Sequence, residues 1–147
     1  MGEGNSGTMD EDERDGFLGT GGTGVISLAA GETAPYSTPV SYGYDAAESV
    51  FYFRLAAQPD SEKGDLADRS VSFVTYGNDN GWKSVVATGQ LERTSEESVA
   101  TESLQGLERV HIPLIDIFGT PPREVAFEFY RLVPDELTTR TETRTEL

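Results

Sequence analysis

The sequence contains no cysteine, one histidine and two lysines, Lys63 and Lys83. Without cysteine the chain can form no disulfide, no thiolate nucleophile and no zinc–thiolate site. The single histidine, His111, cannot build a histidine metal cluster, and any Ser-His-Asp triad would depend on it alone. Because His111 stands in an ordinary loop sequence, a loop role is favoured over a catalytic one.

Long apolar runs are also missing. No stretch approaches the roughly 20 apolar residues that a membrane-spanning helix needs. The first residues, MGEGNSGTMDEDERDG, have neither the basic start nor the apolar segment of a signal peptide. We therefore expect a cytoplasmic protein.

Positive charge is scarce, since 11 basic residues face 26 acidic ones and the formal net charge is -15. Such a surface repels phosphate backbones and anionic lipids, so neither nucleic acid nor a membrane is expected as a partner. The acidic, lysine-poor composition resembles that of proteins from salt-loving archaea. It predicts marginal stability in dilute buffer, where the repulsion between acidic side chains is least screened.

The length of 147 residues predicts one domain. Residues 1–8 are polar and glycine-rich and are expected to be disordered, with Thr8 as the cap of a short helix through MDEDERDGFL. Residues 9–133 are expected to form the folded domain. Residues 134–147 form a polar acidic tail whose end, TTRTETRTEL, has no apolar face and is expected to fray.

The domain is predicted to contain about six short strands, beginning with GVISLAA, PYSTPVSYGY and SVFYFRLA. In the third, Phe51, Phe53 and Leu55 alternate onto one face. Short helices are expected over DSEKGDLADR and SEESVATESLQGL, and strands over SVSFVTYG, WKSVVATGQLERT and EVAFEFYRLV. Many short strands joined by tight turns favour a mainly β fold, a closed or partly closed antiparallel barrel.

Gly19, Gly21 and Gly24 match the pattern G-x-G-x-x-G, which in dinucleotide-binding proteins follows a strand and opens a helix. Here the predicted order is reversed, with a helix before the glycines and a strand after them. The stretch is therefore interpreted as a flexible entry into the first strand.

The segment around Lys63 has two possible roles. Ser61 at a helix N-terminus, Lys63 in the first turn and Arg54 at the preceding strand end could together bind a phosphate. Alternatively, Lys63 pairs with Glu62 or Asp65 on a solvated helix. The residues themselves leave both interpretations open.

The second lysine follows the only tryptophan in the chain. Alternation places Trp82, Ser84 and Val86 on one face of a strand and Lys83 and Val85 on the other. Trp82 is expected to anchor a core or an interface, or to flank a planar ligand.

The order of these elements resembles the pyridoxamine 5'-phosphate oxidase-like family, the FMN-binding split barrels. The resemblance covers roughly residues 16–133. It rests on a second strand with T-P-V, a third with F-Y-F, a helix with S-x-K-x-x-x-L and a fifth strand beginning W-x-S-V-x-x-x-G. The family implies a six-stranded antiparallel split barrel and a homodimer with FMN at its interface.

The resemblance also implies site residues. Ser61 and Lys63 match the positions that hold the flavin phosphate, and Phe53 and Arg54 match the strand end beside the phosphate and the ribityl chain. The backbone along the isoalloxazine ring corresponds to Thr38, Pro39, Val40 and Ser41. The strand start that the partner subunit often contributes corresponds to Trp82 and Ser84.

The C-terminus departs from the family, because nothing in TTRTETRTEL matches the arginine- and histidine-containing substrate motif of true pyridoxamine phosphate oxidases. Oxidation of vitamin B6 is therefore not expected. The resemblance instead implies a flavin-dependent oxidoreductase that transfers electrons to a small-molecule acceptor. A deazaflavin-dependent reductase and a non-catalytic flavin-binding module are the alternatives.

Overall fold

The computed structural model describes residues 6–56, 69–78, 81–94, 100–113 and 127–142. In chain order its elements are β1 (Ser6–Gly7), α1 (Glu11–Leu18), β2 (Gly21–Leu28), β3 (Tyr36–Asp45), β4 (Val50–Ala56), β5 (Ser70–Asn78), β6 (Trp82–Arg93), α2 (Ala100–Glu108), β7 (Phe127–Leu132) and β8 (Glu136–Glu142). The helix predicted around Lys63 lies outside the described residues.

Six of the strands close into an antiparallel barrel in the order β6-β5-β2-β3-β4-β7, with β7 returning to β6. Closure depends on the length of β6. Its residues 91–93 pair with β7, whereas residues 82–88 pair with β8, which extends the sheet beyond the barrel. This confirms the predicted mainly β, six-stranded antiparallel split barrel.

Aromatic rings fill the barrel interior. Phe51, Phe53 and Phe73 are fully buried, and the ring centroids of Phe53 and Phe73 lie 4.9 Å apart in an edge-to-face arrangement. Tyr42 packs its ring edge against Phe73 at 5.2 Å. Such pairs each add about 0.5–1.5 kcal/mol beyond the burial of their area. The prediction that Phe51, Phe53 and Leu55 share one face of β4 is confirmed, and this face is buried in the barrel.

Helix α1 packs against this core through buried Leu18. The hydroxyl of Tyr42 donates to the Leu18 carbonyl oxygen at 3.0 Å, which holds the end of the helix on the barrel. The N-cap is Asp10, whose Oδ1 accepts from the Glu13 N–H at 2.7 Å. The prediction of Thr8 as cap is wrong. Asp10 immediately precedes the first helical residue, and its carboxylate also suits the positive end of the helix dipole.

The glycine-rich start of β2 is held by close packing. Residues 21–24 pair with β3. A Cβ on Gly24 would lie 2.7 Å from the Phe73 ring, and a Cβ on Gly21 would run into the His111 carbonyl oxygen. The interpretation as a flexible entry is therefore wrong, because the backbone lies too close to its neighbours for any side chain. The predicted order, a helix before the glycines and a strand after them, is confirmed.

Part of the predicted tail is ordered. Residues 136–142 form β8, which pairs with β6 along its whole length, so the expectation of fraying is wrong for residues 138–142. Threonine favours strands, and the Met9 N–H donates to Thr139 Oγ1 at 2.8 Å. Ser6 and Gly7, predicted to be disordered, pair with the end of β8.

Helix α2, predicted from the sequence, lies on the outer side of the barrel. Its buried residues, Ser103 and Gly106, are small, and Gly106 lies against the Tyr52 hydroxyl. Arg109, just after α2, donates from Nε and Nη2 to the two oxygens of buried Asp45, at 2.8 and 2.7 Å. Of the helices in the described ranges, none is long and apolar enough to cross a bilayer.

Gly24→Ala is expected to lower the free energy of unfolding by about 1–3 kcal/mol, because the added methyl group would overlap the Phe73 ring. Urea unfolding measures this change. Gly16→Ala in α1 is the control, since a Cβ there meets nothing within 4 Å. Alanine is the better helix former, so the control should gain up to about 1 kcal/mol. Similar effects of both substitutions would contradict the packing explanation.

Candidate functional site

The outer faces of β3, β4 and β7 bring three residues into one row. Tyr42 and Phe53 are register partners whose side chains point into the core. Side chains alternate along a strand, so Ser41 and Arg54 come next in line on the outer face. Arg54 lies opposite Phe129 of β7. We call Ser41, Arg54 and Phe129 the outer row.

Ser41 carries an unsatisfied polar atom. Only 2% of the residue is exposed, and its Oγ has no hydrogen-bond partner among the described residues. A buried hydroxyl without a partner costs about 1–3 kcal/mol. It is the kind of atom that a bound polar group would satisfy.

Arg54 places a positive charge beside Ser41. The residue is 8% exposed, and its Nη2 donates to the Pro113 carbonyl oxygen at 3.1 Å. Burial lowers the pKa of the guanidinium, since the charged form loses solvation. A poorly solvated cation attracts an anion more strongly than an exposed one. The planar donors of arginine suit phosphate.

The next row of the same face is covered. Val110 and Ile112, which follow α2, pack over Gly43, where a Cβ would meet Val110 Cγ2 at 2.7 Å. This segment continues to Pro113, the hydrogen-bond acceptor of Arg54. The outer row therefore lies at the margin of the cover formed by α2 and residues 109–113.

Charge pairs fix that cover to the barrel. Arg131 of β7 donates to Glu92 at 2.9 Å and to Glu102 of α2 at 3.1 Å. Burial acts to lower the pKa of Arg131, but the hydrogen bonds and the charges of Glu102 and Glu92 outweigh it and raise the pKa. Together with the Arg109–Asp45 pair, these contacts hold the margin beside Arg54 in place.

The residues predicted from the family resemblance divide between the two sides of the barrel wall. Pro39 is exposed and shares the outer side of β3 with Ser41. Thr38 alternates with it, and its hydroxyl donates to the Pro39 carbonyl oxygen at 3.4 Å. Val40 and Phe53 point into the core, at 4% and 0% exposure. Ser61 and Lys63 lie outside the described residues.

Trp82 and Ser84 lie on the same outer surface but away from Ser41. Trp82 is 49% exposed, so it does not anchor the core, and its ring centroid lies 6.1 Å from that of Tyr76. Their strand, β6, is separated from β3 by β5 and β2. Three strand spacings amount to about 14 Å. Within one chain, therefore, these two residues do not join Ser41.

The surface between them carries apolar side chains that the sequence interpretation did not identify. Register places Pro39, Val25, Val74 and Val86 in a line across β3, β2, β5 and β6, and Val25 is 37% exposed. We call this line the valine face. Apolar residues on both faces of a strand indicate a second covering layer. In the sequence, this pattern is visible as the apolar runs VISL at residues 25–28 and SVVA at residues 84–87.

Phe129 and Pro113 were also not identified from the sequence, because both depend on contacts across the fold rather than on local pattern. His111 is an exposed loop residue, as predicted. Its backbone N–H donates to the Thr20 carbonyl oxygen at 2.9 Å.

Solved structures share this fold. A candidate pyridoxamine 5'-phosphate oxidase of Corynebacterium glutamicum is 20% identical, with 97% of this chain and 96% of that chain covered and a TM-score of 0.69. An FAD binding protein of Mycobacterium smegmatis is 16% identical, over 94% and 100%, with a TM-score of 0.66. An FAD-binding protein of Mesorhizobium loti is 20% identical, over 96% and 99%, with a TM-score of 0.60.

No curated protein sequence matches the chain significantly. The sequence pattern of the family described as pyridoxamine 5'-phosphate oxidase matches residues 10–141, nearly the whole chain. With the closed split barrel and its structural likenesses, this match shows that the chain belongs to the pyridoxamine 5'-phosphate oxidase family.

Proposed function

We propose that the protein is a cytoplasmic FMN-binding oxidoreductase that acts as a homodimer and transfers electrons to a small-molecule acceptor. The observation that carries this proposal is the outer row, where the buried Ser41 hydroxyl lies next in line to the desolvated guanidinium of Arg54. Phosphate and ribityl oxygens are the groups that such an arrangement suits.

The residues of the outer row suit the polar groups of a flavin. Arg54 would hold the phosphate, and Ser61 and Lys63 would add donors to it. Ser61 follows the end of β4 by five residues, which an extended chain spans in at most about 18 Å. Ser41 would donate to a polar oxygen of the flavin, and the exposed backbone at Pro39 would lie along the ring. The flavin itself supplies hydride and single-electron chemistry when bound.

The valine face supports a homodimer. It is a partly exposed, largely apolar surface at the centre of the sheet, and burying such a surface against a second copy is favourable. Dimerisation would also explain the distance between Trp82 and Ser41. Within one chain, Trp82 and Ser84 lie about 14 Å from Ser41. In a homodimer, the Trp82 and Ser84 of the second copy would lie beside the Ser41 of the first.

The acidic surface of the protein opposes dimerisation at low salt. Two chains of charge -15 repel each other, and salt screens this repulsion. The dimer is therefore proposed to be favoured at high ionic strength, in line with the resemblance of the composition to that of halophilic proteins.

The identity of the chromophore is the first prediction. Protein purified in high salt should be yellow, and mass spectrometry of the released chromophore should find FMN. Release of FAD, the flavin of the FAD-binding proteins of Mycobacterium smegmatis and Mesorhizobium loti, would show that FAD rather than FMN is the cofactor. Release of a deazaflavin would favour the deazaflavin-dependent alternative. A colourless protein that also fails to bind added FMN would contradict the oxidoreductase proposal.

Lys63→Met is expected to weaken FMN binding about tenfold or more, because a charge-assisted hydrogen bond to the phosphate is lost. Titration of the apo-protein with FMN measures this change. Lys83→Met is the matched control, since it removes the other lysine and should leave the affinity unchanged. Equal affinities in the two variants would place the phosphate elsewhere.

Val25→Arg is expected to convert the dimer into monomers and to weaken FMN binding, since it introduces a charge into the valine face. Sedimentation velocity in molar salt reports the state of assembly. Leu104→Arg on α2, where the side chain is also exposed, is the control and should remain dimeric. A dimer that tolerates Val25→Arg would show that the subunits meet through another surface.

Catalysis is tested separately. The flavin-loaded dimer should oxidise a reduced nicotinamide dinucleotide in the presence of a suitable acceptor. Absence of turnover with any acceptor, despite full flavin occupancy, would favour the non-catalytic flavin-binding module.

A further inference from the structure

A cleft lies on the other face of β6 from Trp82 and Ser84. It occupies about 550 Å³ between α1 and the end of the β5–β6 pair. Among the described residues it is lined by Glu13, Gly16 and Phe17 of α1, Gly77 of β5 and Lys83 of β6. None of them belongs to the outer row or to the valine face.

The charged groups of this cleft, Lys83 and Glu13, form a long, partly exposed salt bridge. Lys83 Nζ lies 3.6 Å from Glu13 Oε2, whereas a direct charge-assisted hydrogen bond measures about 2.7–2.9 Å. Both side chains are partly exposed. An ammonium can only donate and a carboxylate can only accept. A third group that contacts both must therefore accept from Lys83 and donate to Glu13.

A primary carboxamide meets this requirement, because it carries an acceptor oxygen and a donor N–H₂ on one planar group. A carboxylate ligand would be repelled by Glu13, and an ammonium ligand would be repelled by Lys83. The net charge of -15 further disfavours an anion. Charge complementarity thus favours a neutral group that both donates and accepts, and a primary carboxamide does so with two atoms of one plane.

Beside these charges, the cleft is lined by one aromatic ring and two glycines. The half-buried Phe17 ring forms part of the lining, and its Cε1 would lie 3.5 Å from a Cβ at Gly77, which is an ordinary contact distance. A Cβ at Gly16 would meet nothing within 4 Å. Packing therefore does not require a glycine at Gly16, although glycine weakens a helix interior. The small residues leave room for a planar group beside the Phe17 ring.

We propose that this cleft binds a small molecule with a primary carboxamide on a flat aromatic ring. The carboxamide bridges Lys83 and Glu13, and the ring stacks against Phe17. The site goes beyond the proposed flavin chemistry and does not depend on a bound flavin.

The test is a titration of the full chain with benzamide, followed through backbone amide resonances in two-dimensional NMR. Gly16, Phe17, Gly77 and Lys83 should shift together and saturably. Benzoate, benzylammonium and the non-planar cyclohexanecarboxamide should bind about tenfold more weakly or worse. Equal or tighter binding of benzoate, or no saturable shift at these residues, would overturn the proposal.

Variants separate the cleft from the fold and from the flavin site. Gly16→Leu should melt no lower than the unchanged protein but lose benzamide binding, since its side chain fills the cleft. Lys83→Met should also lose it. Arg14→Met, which removes an equal charge from α1, and Lys63→Met should bind benzamide normally. Unchanged binding by Gly16→Leu or Lys83→Met would overturn the assignment.

Discussion

The burial of β3 on both faces, from Val40 to Asp45, is the constraint on which the rest of the molecule depends. Its inward residues, Val40, Tyr42 and Tyr44, belong to the barrel core. Of its outward residues, Gly43 and Asp45 meet the cover formed by α2 and residues 109–113. A shift of one residue would exchange the two sets. The register with β4, and with it the position of Ser41 beside Arg54, is therefore strongly determined.

The sequence predicted the elements whose side chains alternate clearly. In β4, Phe51 and Phe53 alternate with Tyr52 and Arg54, and both the strand and its inward face are found as expected. Two predictions failed because a local pattern carries no information on distant neighbours. Polar β8 is a strand because β6 pairs with it. Gly24 is fixed in place because Phe73, far away in the sequence, lies against it.

The same limit applies to the candidate site. Arg54 was identified from its place at a strand end and from the family resemblance, and it is indeed buried beside Ser41. Phe129 joined the site only through the pairing of β4 with β7, and Pro113 only through the path of the chain after α2. The phosphate-binding roles of Ser61 and Lys63 stay predictions, made from the residue pattern and from the family resemblance.

The pairing of β6 has a consequence for how the domain unfolds. One of its edges bonds to β5, and the other is divided between β8 and β7. Release of β6 from the sheet breaks its ladders to β5, β7 and β8, whereas β8 can separate and leave the six-stranded ring closed. The amides of β6 that bond to β5 should then exchange with solvent only through global unfolding, while those facing β8 should exchange through a smaller, local opening. A single strand would thus report two levels of stability in one molecule.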